Sequence, residues 1–193
     1  MPQTNDDTPF HRRLIGWRIA GWSAAAALLA LPAIAMQFTD EVDWTTGDFA
    51  IATVILLMTG LAAEGGLRLA RSWQHLIGFA LAIFAAFFTV WSNLAVGIIG
   101  AEDAAINPRF FTLLAMAIIA SILLRFRARA MATITGILAV SQLALGLAAH
   151  RIMPGHDVEW SVLALFAALW LAASISFHSV ARAEARAEAN RNA

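Results

Sequence analysis

Glu64 is the one carboxylate that falls inside a long apolar run of this chain, and Arg68 follows it by one helical turn. A carboxylate at bilayer depth costs roughly 2.5–3.5 kcal/mol unless it is paired, protonated or wetted. Three kinds of chemistry fit it: a proton or cation relay, a contact to a polar ligand, or an ion pair that fixes helix register. Arg68 is the expected partner, with Arg125, near the end of another apolar run, as a second. Gly60, Gly65 and Gly66 would let a neighbouring helix come close. The nearby arginine favours the ion pair. Asn93 and Gln142 are the other in-span polar groups, and uncharged amides in such places more often join helices than bind substrate.

A second collection of polar residues sits between the apolar runs: Asp40, Glu41, Asp43, Asp48, Glu102, Asp103, His150, His156, Asp157 and Glu159, with Trp44 among them. Carboxylates with imidazoles can bind a divalent metal or attract cations, but no spacing here matches a metal motif, and translocated loops are ordinarily this acidic. Trp44, Asp48, Glu102 and Asp103 stand out as the candidate site on this face. His75 and His178, near the ends of their runs, raise bis-histidine haem ligation, although two terminal histidines are no signature. Ser92, Ser141 and Ser174 lack a nucleophile motif, and with no cysteine there is no thiolate chemistry. The residues imply no catalytic set, no cofactor and no metal.

The elements that must position these groups are membrane helices. Hydrophobic residues make up 60% of the 193, above the roughly 45–50% of soluble domains, and they come in runs. At about 20 residues per crossing, the runs predict an all-α polytopic bundle of six spans, at about 15–37, 48–70, 74–100, 109–125, 130–150 and 158–178. A short segment 1–14 precedes the 15–178 transmembrane domain, and a charged tail, 179–193, follows it. Asp48, Ser72, Asn107 and Asp157 stand where N-caps would open the second, third, fourth and sixth spans, with Pro108 at the first helical position after Asn107. Pro32 is expected to bend the end of the first span.

All thirteen basic residues are arginine. Arg12, Arg13, Arg18, Arg68, Arg71, Arg125, Arg127, Arg129, Arg182, Arg186 and Arg191 fall on one side, against Arg109 and Arg151 on the other. By the positive-inside rule both termini are expected to be cytoplasmic and the acidic loops to face out. These arginines are explained by orientation, so nucleic acid is not an expected partner. His11-Arg12-Arg13, the following apolar run and Ala33-Ile34-Ala35 imitate a cleaved signal peptide, but the run is long for one. The tail alternates alanine with Arg182, Glu184, Arg186 and Glu188, whose i,i+4 pairs are like-charged, and predicts a fraying helical extension.

Faces of the bundle are also legible. In the third span Phe84, Phe87, Phe88 and Trp91 form an aromatic stripe expected to face lipid, while Ala86, Thr89, Asn93, Gly97 and Gly100 form a small-residue seam. The fifth span carries a similar seam, Thr135, Ala139, Gln142, Gly146 and Ala149, and the sixth one of Ala164, Ala168, Ala172 and Ser176. Residues 92–97 align with 141–146, a weak sign of tandem helical hairpins.

Residues 41–49, Glu-Val-Asp-Trp-Thr-Thr-Gly-Asp-Phe, and 91–103, Trp-Ser-Asn-Leu-Ala-Val-Gly-Ile-Ile-Gly-Ala-Glu-Asp, with Asn107-Pro108 soon after, carry a resemblance. Over about residues 41–149 the chain resembles a group of small bacterial multi-helix inner-membrane proteins of no established activity. The resemblance implies a topology but no reaction, and it points to Trp44, Asp48, Glu64, Asn93, Glu102 and Asp103. The expected role is a non-enzymic accessory or scaffold subunit, its partners the lipid bilayer and either a larger membrane protein or copies of itself. A small-solute, proton or cation transporter using Glu64 comes next, and an enzyme acting on a lipid or quinone-like substrate last.

Overall fold

The computed structural model describes residues 9–100, 104–152 and 158–192. Six helices account for nearly all of them: α1 (Pro9–Ala35), α2 (Thr46–Leu69), α3 (Trp73–Ala95), α4 (Pro108–Leu123), α5 (Ala128–Ile152) and α6 (Trp160–Arg191). No strand occurs among the described residues beyond a single antiparallel bridge, Ile99 to Val158. Five of the helices are long and apolar enough to cross a membrane. α4, with 16 residues, extends about 24 Å at 1.5 Å per residue, short of the roughly 30 Å hydrocarbon layer.

The chain forms two compact units, Met1–Arg68 and Leu69–Ala193. In the first, α1 and α2 make an antiparallel hairpin. Its register can be read from two contacts, Arg18 with Glu64 and Trp22 with Gly60. Both pairs are centred on residue 41, so each step down α1 is matched by one step up α2. Gly60 makes room for the Trp22 ring, since a Cβ there would lie 2.6 Å from it and the ring would have to move aside. Gly65, expected to serve the same purpose, has open space before it. Apart from these contacts the hairpin keeps long apolar faces exposed, including Ile19, Leu28 and Leu31 of α1 and Val54, Met58 and Leu61 of α2.

In the second unit α6 packs against both α3 and α5, and α4 leans mainly on α5. The α5 seam is as the small residues suggest, with Thr135, Ala139, Gln142, Gly146 and Ala149 buried. On α3, Thr89 and Asn93 are buried, but Ala86 is only half-buried and Gly97 and Gly100 lie beyond the helix end. α6 departs from the expectation. Ala164 and Ala168 of its small stripe are exposed, and its packing face is the bulky series Leu163, Phe166, Ala167, Trp170, Ala173 and Phe177. The reason is complementarity, since large side chains of α6 fill hollows that small residues leave on its neighbours. A Cβ at Gly146 would lie 2.4 Å from Leu163, and one at Gly78 would lie 2.9 Å from Phe177. Of the expected lipid-facing stripe only Phe84 is exposed, while Phe88 packs on the cluster of Ile98, Ile99, Phe110 and Phe166.

Helix ends show where local sequence decides structure. Ser72 caps α3, accepting the His75 N–H at 3.2 Å. α3 stops at Ala95, five residues before the expected end of that span, because Gly97 and Gly100 adopt left-handed conformations (φ 73° and 64°) that a helix cannot continue through. They turn the connection back so that Ile98 and Ile99 are buried. Asn107 precedes α4 as expected but does not cap it. Its carboxamide instead accepts the Ile99 N–H at 3.2 Å and donates to the Ile99 carbonyl at 3.3 Å, clamping the buried connection. Between α4 and α5, Arg125 and Phe126 both hold positive φ, and Phe126 donates its N–H to Ser121 across the turn. α6 continues as one helix through the charged tail to Arg191. Asp157, expected to cap it, lies outside the described residues.

Candidate functional site

The ionic site forms within the α1–α2 hairpin. Arg18 donates its Nε–H to Glu64 Oε1 at 2.6 Å, and Arg68 stands 4.0 Å from Oε2. The Glu64 side chain is 15% exposed, Arg18 47% and Arg68 77%. The closer partner is therefore neither Arg68 nor Arg125, the two arginines that sequence spacing suggests. Arg125 lies exposed in the α4–α5 turn and makes no ion pair among the described residues. Arg18, counted in the sequence only among the arginines that set orientation, was missed as the partner. The signal that could have found it is a cation inside the first apolar run, as far before the α1–α2 turn as Glu64 is after it. An open groove of about 550 Å³ runs beside the pair, lined by Arg18, Ile19, Trp22, Ser23, Ala26 and Glu64.

A second polar constellation lies in the α3–α6 bundle. Gln142 Nε2 donates to the Thr89 hydroxyl at 3.2 Å, joining α5 to α3. Thr89 donates in turn to the Ala85 carbonyl at 2.8 Å, and Asn93 Nδ2 donates to the Thr89 carbonyl at 2.8 Å. Asn93 and Gln142 are 3% and 2% exposed. The Gln142 amide nitrogen joins two helices, whereas that of Asn93 bonds only within its own helix. Asn93 Oδ1, Gln142 Oε1 and the Trp170 indole N–H have no partner among the described residues. His75 is likewise buried with both ring nitrogens unpaired, stacked on Phe79 at 4.8 Å and edge-on to Phe177 at 5.7 Å. His178 is exposed, next to Phe177 in sequence but turned away from the packed face. That arrangement gives no shared axis for two histidine ligands.

Of the residues expected on the outer face, Glu102, Asp103, His156 and Asp157 lie outside the described residues. Asp48 has a local occupation. Its carboxylate accepts the Thr45 N–H at 2.8 Å and the Thr45 hydroxyl at 2.7 Å, while the Asp48 N–H donates to Thr45 Oγ1 at 3.3 Å. This is a capping box with Thr45 as N-cap and Asp48 at the third helical position, where the sequence suggested Asp48 itself as the cap. Trp44 packs edge-on to Phe49 across the same helix start, at 5.3 Å. Asp48→Ala should therefore destabilise the start of α2 by about 1 kcal/mol, seen as faster amide hydrogen exchange over residues 46–49. Protection unchanged by the substitution would rule the box out as a stabilising feature.

Compared with family models, with curated proteins and with solved structures, the chain matches none. What its described residues define is a class: an all-helical protein whose five long apolar helices suit a multi-pass membrane protein.

Proposed function

We propose that the chain is a six-span protein of a bacterial inner membrane, with both ends cytoplasmic, serving as an accessory or scaffold subunit of a larger membrane complex. The arginine distribution supports the orientation, with eleven arginines named above on one side and two on the other. For the sixth span, α4 is short, but the buried segment ahead of it, with Ile106 and Asn107 enclosed, supplies the missing depth. Non-helical backbone is tolerated at membrane depth where protein surrounds it.

The observation that carries the accessory reading is the engagement of Glu64. Its carboxylate lies between two guanidiniums, 2.6 Å from Arg18 and 4.0 Å from Arg68, so it is engaged in joining helices and poorly placed to bind and release a passing cation. A carrier of small polar solutes is the second reading, favoured by the unpartnered Asn93 Oδ1 and Gln142 Oε1 rather than by Glu64. Native mass spectrometry of the tagged protein, extracted gently from its own membranes, separates the two. A stable complex with a different polypeptide is the expected result. A lone monomer or a homo-oligomer would overturn the accessory reading and move solute transport forward.

A further inference from the structure

We infer that the α1–α2 groove is a seat for one anionic phospholipid, its phosphate on Arg18 and its glycerol and upper acyl chain along Trp22, Ser23 and Ala26. The inference goes beyond the accessory role and does not depend on it. The groove's chemistry is one-sided. Arg18 gives its Nε–H to Glu64, and its remaining guanidinium N–H groups have no partner among the described residues, although the side chain is about half-exposed. The Trp22 indole N–H and the Ser23 hydroxyl, farther along the same groove, are likewise unbonded. Unpaired donors in an apolar surrounding are costly, so this lining calls for an occupant rich in acceptors. Phosphate and ester oxygens are such acceptors, and arginine binds phosphate through paired N–H groups.

Charge selects among phospholipids. Arg18 and Arg68 together outweigh Glu64, leaving a net positive charge, and both carboxylate oxygens already face a guanidinium. With net positive charge around it, the site favours a phosphate over a headgroup that also carries an ammonium. The groove also has polarity along its length: the ion pair stands at one end, and Ile19, Trp22 and Ala26 continue along α1. That matches the sequence of phosphate, glycerol and chain in a lipid lying against the helix.

The test uses the full chain in detergent micelles, titrated with brominated-chain phosphatidylglycerol or brominated-chain phosphatidylcholine. Quenching of Trp22 fluorescence is read as the difference between the protein and its Trp22→Phe variant. Phosphatidylglycerol should quench at about tenfold lower concentration than phosphatidylcholine, and Arg18→Gln should erase that preference. Glu64→Gln removes the group that competes with phosphate for Arg18 and should tighten phosphatidylglycerol binding several-fold, about 1 kcal/mol or less. A role of Glu64 in holding the helices alone predicts no such gain. The double variant Arg18→Gln/Glu64→Gln leaves no unpaired in-span charge of the pair, so its loss of preference reports the missing guanidinium and not an orphaned Glu64 carboxylate. Equal quenching by the two lipids, weaker binding in Glu64→Gln, or a preference that survives in the double variant would each overturn the inference.

Discussion

Arg18→Glu should loosen the α1–α2 hairpin by about 2–3 kcal/mol, the scale of an unpaired charge in a membrane helix reduced for a half-exposed side chain. The variant places two carboxylates where an ion pair stood at 2.6 Å, and Arg68 at 4.0 Å is too distant to neutralise both. Glu64→Arg should cost a similar amount by gathering three guanidiniums. Combining the two restores an ion pair of opposite polarity, and the double variant should recover at least about 1.5 kcal/mol over the sum of the singles. Hydrogen exchange along α1 and α2 reads this out in the hairpin itself. The paired exchange of Glu64 with Arg68, by contrast, should recover only about 0.3–0.5 kcal/mol, as for exposed i,i+4 pairs. Recovery through Arg68 and none through Arg18 would mean that register is not set by the Arg18–Glu64 contact.

That pair also shows how far the sequence reaches. Glu64 was recognisable because lipid tolerates few charges, and its role as an ion-pair partner followed from the arginines around it. The partner did not follow, because spacing along one helix points to Arg68, while the stronger contact comes from a helix 46 residues earlier. Only the equal distance of Arg18 and Glu64 from the turn between their helices reveals it. Asn107 and Asp48 make a similar point at shorter range: both mark helix starts, yet one clamps a buried connection and the other completes a box with Thr45. Residue type gave the location, and the geometry of neighbouring backbone decided the bond. The seam of α6 was illegible for a different reason. A small-residue stripe marks a possible close approach, but where α3 and α5 already supply the hollows, the third helix must bring bulk, so its packing face is Leu163, Phe166, Trp170 and Phe177.

Phe177 is the side chain on which that complementarity most depends, and Phe177→Ala should cost about 3–5 kcal/mol of bundle stability. The ring is fully buried and meets Phe79 edge-on at 5.1 Å and His75 at 5.7 Å while filling the space above Gly78. Lipid chains are as apolar as the bundle interior, so the loss comes from dispersion contacts left unmade and not from exposure to water, which places it toward the lower end of that range. The converse change, Gly78→Ala, pushes a methyl to 2.9 Å from a ring hemmed in by two others and should cost about 1–3 kcal/mol. Phe177→Leu shortens the knob as Gly78→Ala fills the hollow, so the double variant should be more stable than the sum of its singles by about 1 kcal/mol. Detergent-denaturation midpoints of the four proteins close the cycle. Strict additivity would mean that α3 and α6 are held by other contacts, among them the Ser176 hydroxyl on the Gln74 carbonyl at 2.9 Å, and that the glycine serves some purpose other than receiving Phe177.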